Sequence, residues 1–341
     1  MRRTVTEAAA ALGLVFLFTT GILLLTGAPP LEAYGQLLRG AFGSWSKVAR
    51  VLTVWVPLTL CATGLVYTFR IGLWNIGVEG QVVLGAVGVT WVLRAGMGQA
   101  PPAALLAAGM AAGVALGGLW ALLAGFLKTR GGVNEIFAGL GLNFVAQGVV
   151  LWLIFGPWKR PGIASMSGTQ PFPTDLWLPS FPWGRLSPVA LACAVGALAL
   201  TAWLLGRTRI GLCLRAIGSN PRAAFRLGLK PDRYVLLAML LAGGLAGLAG
   251  AIQVTGVYHR LIPAISSNYG YLALLVTMLA GFRLGPVAPI AFVFAALNVG
   301  SVQLPMVLRL DSSLSGVIQG ALALAALLAH GWGRWRAARQ A

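Results

Sequence analysis

The chain is poor in acids. Its 341 residues include 7 Asp plus Glu against 25 Lys plus Arg, and charged residues of both signs make up only 9%. A soluble domain carries about 25%. With 58% hydrophobic residues and a mean hydropathy of +0.84, so few polar groups cannot cover a water-soluble fold, which excludes a soluble enzyme. A net charge of +18 would suit a nucleic-acid binder. The cations, however, are scattered between apolar runs, so nucleic acid is not expected as a partner. Cysteine is scarce too. Cys61 and Cys193 lie in apolar runs and Cys213 in a basic segment, which makes neither a disulfide framework nor a zinc cluster. His259 and His330 are the only 2 histidines; they are far apart, and no metal site is expected. There is no Gly-Lys-Ser/Thr triplet, no His-Glu-x-x-His and no Gly-x-Ser-x-Gly. The chain is therefore expected to hydrolyse nothing itself and to hold no cofactor.

Long apolar runs are what it has. A spanning helix needs about 20 apolar residues to cross the hydrocarbon core. Stretches free of charge and histidine run over residues 8–31, 51–69, 80–93, 95–127, 136–158, 186–206, 234–258, 261–282, 284–308 and 312–333. The expected fold is an all-α polytopic membrane protein of about ten transmembrane helices, a single domain over 1–341, embedded in membrane lipid. The first run, preceded by Arg2 and Arg3, reads as a retained anchor rather than a signal peptide. With both termini cytoplasmic, most basic residues fall inside, as the positive-inside rule requires. The densest group is Arg207, Arg209, Arg215, Arg222, Arg226, Lys230 and Arg233, in a cytoplasmic loop over 206–233. The segment 156–187 is then extracytoplasmic. Trp152, Trp158, Trp177 and Trp183 around it read as interfacial anchors.

Two runs are weak. The third is too short to cross unaided, and the eighth is interrupted by Pro263 and the polar patch Ser266-Ser267-Asn268. If the ten crossings are five plus five in an inverted repeat, these broken helices occupy corresponding positions, a pattern that points to a solute pathway near the midplane. The first break reads Arg70-Ile71-Gly72-Leu73-Trp74-Asn75-Ile76-Gly77-Val78-Glu79-Gly80-Gln81. It is either a plain cytosolic turn with Glu79 in the first turn of a helix, where the dipole favours a carboxylate, or a pathway-lining segment that exposes Asn75, Glu79 and Gln81. In the fifth run Glu135, Gly139, Asn143 and Gln147 follow at intervals of four on one helix face. They staple the bundle by interhelical hydrogen bonds or, with Ser267 and Asn268, line a route for a polar solute.

The basic loop carries a short helix. Asn220 suits the N-cap, Pro221 the first helical position and Gly228 the position after the C-cap, which predicts about two turns between them. Ala223, Ala224 and Leu227 give that helix an apolar face. It either docks into a cleft on a partner protein or lies on anionic lipid.

This stretch resembles the coupling-helix motif of ABC importer permeases, a pair of alanines followed three residues later by glycine: Ala223-Ala224-Phe225-Arg226-Leu227-Gly228. The family usually has an acid before the alanines, where this chain has Arg222. Gly72-Leu73-Trp74-Asn75-Ile76-Gly77-Val78-Glu79-Gly80-Gln81 is similar to a signature of the nucleoside and simple-sugar branch of that family, a group that also includes branched-chain amino acid permeases. Gly132-Val133-Asn134-Glu135-Ile136, with Leu142-Asn143-Phe144, resembles another stretch of that branch. The resemblance implies a permease subunit, multi-pass in a bacterial cell (inner) membrane, paired with a second permease, related or identical. Two ATPase subunits would bind the ATP and contact Asn220 to Gly228, and an extracytoplasmic solute-binding protein would deliver the solute. Amides dominate the expected pathway, which suits a neutral polar solute: a nucleoside first, a ribose-like sugar or branched-chain amino acid next. An ion-driven secondary transporter is the alternative class, which would need a titratable residue deep in a span.

Overall fold

In the computed structural model, residues 29–162, 168–182 and 184–302 are described, with isolated positions from 13 to 27 and from 307 to 328. The first and tenth apolar runs, and the expected cytoplasmic termini, lie almost wholly outside the described residues. The described chain is helical, with no strand among the described residues: α1 (Pro30–Phe42), α2 (Trp45–Arg70), α3 (Val78–Gly96), α4 (Pro102–Thr129), α5 (Glu135–Phe155), α6 (Pro188–Arg207), α7 (Arg209–Ser219), α8 (Pro221–Arg226), α9 (Pro231–Ile252), α10 (Tyr269–Leu279) and α11 (Val287–Ser301). A π-helical turn, Gln253–Tyr258, continues α9. Six of these helices, α2 to α6 and α9 with its extension, are long and apolar enough to cross a membrane.

The starts of these helices follow from local sequence. Proline occupies the first turn of α1, α4, α6, α8 and α9, where its missing N–H has no helical partner in any case. The Asn134 side chain accepts from the Ile136 amide at 2.8 Å to open α5. Ser187 accepts from the Ala190 amide at 3.4 Å to open α6.

The third crossing differs from expectation. It is not a broken helix: α3 is continuous over 19 residues, and the interruption is the loop that precedes it, residues 71–77. Two effects lengthen the helix beyond its uncharged core. At the N-terminal end Glu79 and Gln81 are buried with polar partners (below), so the helix starts before the apolar run does. At the C-terminal end Arg94 places its guanidinium 5.5 Å from the centre of the Trp158 ring, which tolerates a cation within the last turn. The eighth crossing is interrupted as expected. Its helical part is α10, 11 residues long, after a non-helical stretch over 259–268. α1 was not expected from the sequence.

Packing divides the chain into two compact units: residues 55–291, and a second made of the chain on either side. Within the second, the Phe42 and Phe292 rings meet at 6.2 Å. Within the first, α3, α4 and α9 form a tight junction. A Cβ on Gly247 of α9 would collide with the Gly113 carbonyl of α4, and one on Gly85 of α3 would collide with Gly247. The glycine run Gly243 to Gly250 is thus a packing surface, as small residues are in membrane bundles. Outward faces carry exposed Phe137, Phe144, Trp152 and Trp203. Such rings are stable only against lipid or another apolar surface.

The segment between α5 and α6 returns onto the end of α9. Leu178 donates to the Thr255 carbonyl at 3.0 Å, Phe172 to that of His259 at 2.8 Å and Thr169 to that of Leu261 at 2.9 Å. Trp177 is half-buried there, and its ring stacks on His259 at 3.7 Å.

Candidate functional site

The loop 71–77 and the first turn of α3 hold most of the polar residues singled out above. Asn75 and Gln81 face each other: Asn75 Nδ2 donates to Gln81 Oε1 at 3.1 Å, and Gln81 Nε2 donates to Asn75 Oδ1 at 2.9 Å. Both are 1% exposed, and the reciprocal pair satisfies two amides that would be costly alone in a membrane interior. The turn is closed by Gln81 N donating to the Gly77 carbonyl at 3.1 Å.

Glu79 points away from that pair, to the second break. Its carboxylate accepts from the Gly270 amide at 2.9 Å. Gly270 is the second residue of α10, so the carboxylate caps a helix N-terminus from 191 residues away, where free N–H groups and the dipole both favour an anion. The Ser266 hydroxyl and the amides of Asn268 and Tyr271 also face this carboxylate. Ser267 and Asn268 adopt left-handed backbone, φ 50° and 59°, and this turn aims the amides at Glu79. A Cβ on Gly270 would lie 2.8 Å from Glu79 Cα, so only glycine allows the approach. The Ser267 hydroxyl bonds the Tyr258 hydroxyl at 2.9 Å, while Asn268 itself is exposed.

The polar stripe of α5 joins the two breaks. Asn143 Oδ1 accepts from the Gly80 amide at 2.8 Å. Its Nδ2 donates to the Ile76 carbonyl at 3.0 Å and to the Tyr271 hydroxyl at 3.3 Å. Gln147 Nε2 donates to the Pro263 carbonyl at 2.8 Å. Gly139 packs directly on Gly77, with no room for a Cβ. Glu135, at the end of the stripe, instead pairs with Lys128. Both breaks thus meet on one face of α5, and every polar partner there is an amide, a hydroxyl or a carbonyl except Glu79. Tyr271 and Gly270 were not identified from the sequence, and Ser266 and Pro263 were read there only as part of the interruption. Gly270 is one glycine among 46, and nothing local marks it as the partner of Glu79.

The basic loop folds as α7 and α8. Asn220 caps α8 by accepting from the Ala223 amide at 3.0 Å, Pro221 takes the first position, and Gly228 follows the C-terminus at φ 86°. Ala224 is the buried face, 3% exposed; Phe225 and Leu227 point out, 67% and 82% exposed. Ala223 is exposed as well. The outward apolar surface of this element is therefore larger than the alanines suggest.

A sequence profile described as branched-chain amino acid transport system / permease component matches residues 47–327. The glucose ABC transporter permease protein of Haloferax volcanii is 30% identical over 324 residues, 92% of this chain and 84% of its own. The guanosine ABC transporter permease protein of Bacillus subtilis is 28% identical over 295 residues, 84% of this chain and 82% of its own. The nucleoside ABC transporter permease protein of Lactococcus lactis is 26% identical over 303 residues, 86% of this chain and 81% of its own. Such proteins are transport components rather than enzymes. Together with six helices of spanning length and composition, they make this a multi-pass protein of the cell membrane. The chain belongs to the branched-chain amino acid transport system permease family, in its nucleoside and sugar ABC transporter group.

Proposed function

We propose that this chain is the membrane-spanning permease subunit of an ATP-driven importer and that it moves a neutral polar solute, a nucleoside first, by alternating access. The observation that carries the reading is the meeting of loop 71–77 and the segment 259–268 on the polar face of α5, through Glu79, Asn143 and Gln147. Interrupted backbone at membrane depth is tolerated only where protein or a cavity surrounds it. Neutral amides hold the two breaks together by bonds that can be exchanged for bonds to hydroxyls or base carbonyls without stranding a charge. Asn75, Glu79, Gln81, Asn143, Gln147, Ser267 and Asn268 are assigned to this pathway, with Tyr271 added.

Transport would be driven from below. ATPase subunits would receive the outward Phe225 and Leu227 of α8 in a groove, and Asn220, Pro221, Ala223, Ala224 and Gly228 would hold that element in shape while α7 and α9 carry its motion into the membrane. A second permease subunit and an extracytoplasmic solute-binding protein complete the assembly. Family membership favours this arrangement over an ion-driven secondary transporter.

A sugar is the second reading, because hydroxyls would use the same amides and the Haloferax volcanii relative is a glucose permease. The test is coexpression with the cognate ATPase and binding protein, followed by uptake of labelled guanosine, ribose and glucose into vesicles. Saturable guanosine uptake that disappears with a hydrolysis-dead ATPase supports the proposal. Uptake that persists with the dead ATPase overturns the mechanism, and uptake confined to a sugar overturns the substrate.

A further inference from the structure

Three arginines from three segments converge beside the first break. Arg70 ends α2. The ring of its neighbour Phe69 meets that of Phe282, centroids 4.6 Å apart, which brings the chain at Arg283 close to the end of α2. From another side the end of α7 presses on the end of α2: a Cβ on Gly218 would collide with the Arg70 carbonyl and lie 3.3 Å from Ile71 Cα. Arg215 stands one turn earlier on that face of α7. Burial weighs most on the Arg70 guanidinium, and the charges of Arg215 and Arg283 are felt there after it.

Like charges gathered this way repel, and no carboxylate among the described residues forms an ion pair with them. The one ion pair among the described residues is Lys128 with Glu135, and Glu79 is committed to Gly270. Arg70 Nε is buried and donates to nothing. Arg215 is held in place by its Nε, which donates to the Gly211 carbonyl at 3.3 Å, leaving its terminal nitrogens for another acceptor. Arg215 and Arg283 are exposed, so the cluster opens to solvent. Trp74, edge-on to Phe69 at 5.2 Å, walls one side.

We propose that Arg70, Arg215 and Arg283 form a binding site for a phosphate group. Guanidinium forks match phosphate oxygens in geometry and charge. Donors from three directions suit the tetrahedral oxygens of a phosphate better than the two coplanar oxygens of a carboxylate. The phosphate would come from an anionic phospholipid headgroup, since Arg70 lies at the end of a crossing, or from a free phosphate compound. In the topology read from the sequence all three arginines fall on the cytoplasmic side, and their convergence agrees with it. A phosphate bound here would tie the end of α2 to α7, one turn from the cap of α8, and so bias the coupling element.

The test uses the assembled transporter in nanodiscs. One arm measures retention of phosphatidylglycerol against phosphatidylcholine by native mass spectrometry. The other measures equilibrium binding of labelled pyrophosphate in pure phosphatidylcholine discs. Either probe should bind the wild type, and the double variant R215Q/R283Q, altered only at exposed positions, should weaken that binding about tenfold or more. R70K keeps the charge but loses the fork, and should weaken it in the same arm. Retained phosphatidylglycerol identifies a lipid source and bound pyrophosphate a free one. No binding of either probe, or binding unchanged in the double variant, overturns the proposal. So does loss of the ATPase subunits from R215Q/R283Q with phosphate binding intact, because the cluster then serves a protein acid.

Discussion

Replacing Asn143 by alanine removes more than one side chain's worth of bonding. Gly80 sits in the first turn of α3, where its amide has no acceptor within the helix. Asn143 Oδ1 supplies that acceptor at 2.8 Å, and Gly80 is buried. N143A leaves the amide orphaned, which costs about 1–3 kcal/mol, and deletes two further donor contacts worth about 1 kcal/mol each. We expect a total of about 3–5 kcal/mol, against about 1 kcal/mol for Q147A, which loses the single bond to Pro263. Tyr271 keeps its place in Y271F and loses only the hydroxyl that accepts from Asn143, a cost of about 1 kcal/mol or less. Thermal melting of the three detergent-solubilised variants, followed by fluorescence-detected size exclusion, should rank N143A well below Q147A and Y271F. A further variant, N143D, keeps the acceptor for Gly80 but loses both donors, and should fall between. If N143A melts together with Q147A, Asn143 is not the joint between the breaks, and the stripe reading of α5 fails with it.

Other substitutions probe separate parts. G270A forces a Cβ against the backbone N and Cα of Glu79 as well as its carboxylate, and overpacking of this kind costs about 1–3 kcal/mol; melting should drop, and the double variant G270A/E79A should not recover it, because the backbone clash remains and the Gly270 amide loses its acceptor. G228V puts a branched side chain at φ 86°, a strain of about 1–2 kcal/mol, so solute-stimulated ATPase activity of the complex should fall while the permease still inserts; unchanged stimulation would count against α8 as the coupling element. Burial and, secondarily, the nearby Arg185 hold the His259 imidazole below its ordinary value of 6.5, against a raising contribution from the Thr255 carbonyl. Its folded form is the neutral ring, so the stacking on Trp177 contributes fully above about pH 6.5 and is lost as pH falls through the depressed folded value. Trp fluorescence and proteolysis of segment 156–187 should report loosening on acidification, and H259F should be insensitive to pH over that range.

The breaks show how far local sequence reaches. Pro263 and the Ser266-Ser267-Asn268 patch announced the interruption before α10, and the helix begins at Tyr269 as its apolar part suggested. The third run misled because it was counted by charge-free length. Glu79 and Arg94 were read as boundaries, whereas both belong to a continuous α3 that satisfies them through Gly270 and Trp158. Asn75 and Gln81 looked like two independent pathway groups, and they turn out to bond each other.

What the amino-acid order determined by itself is everything set within a few residues: spanning lengths, proline starts, the Asn220 cap and the left-handed Gly228 that ends α8. Those rest on backbone sterics and on hydrogen bonds to near neighbours, which sequence spacing encodes directly. The junction of the two breaks on α5, the capping of α10 by Glu79 and the gathering of Arg70, Arg215 and Arg283 were decided only by tertiary structure. Each joins groups from 60 to more than 200 positions apart, and no local rule says which buried amide will meet which carboxylate once the helices pack.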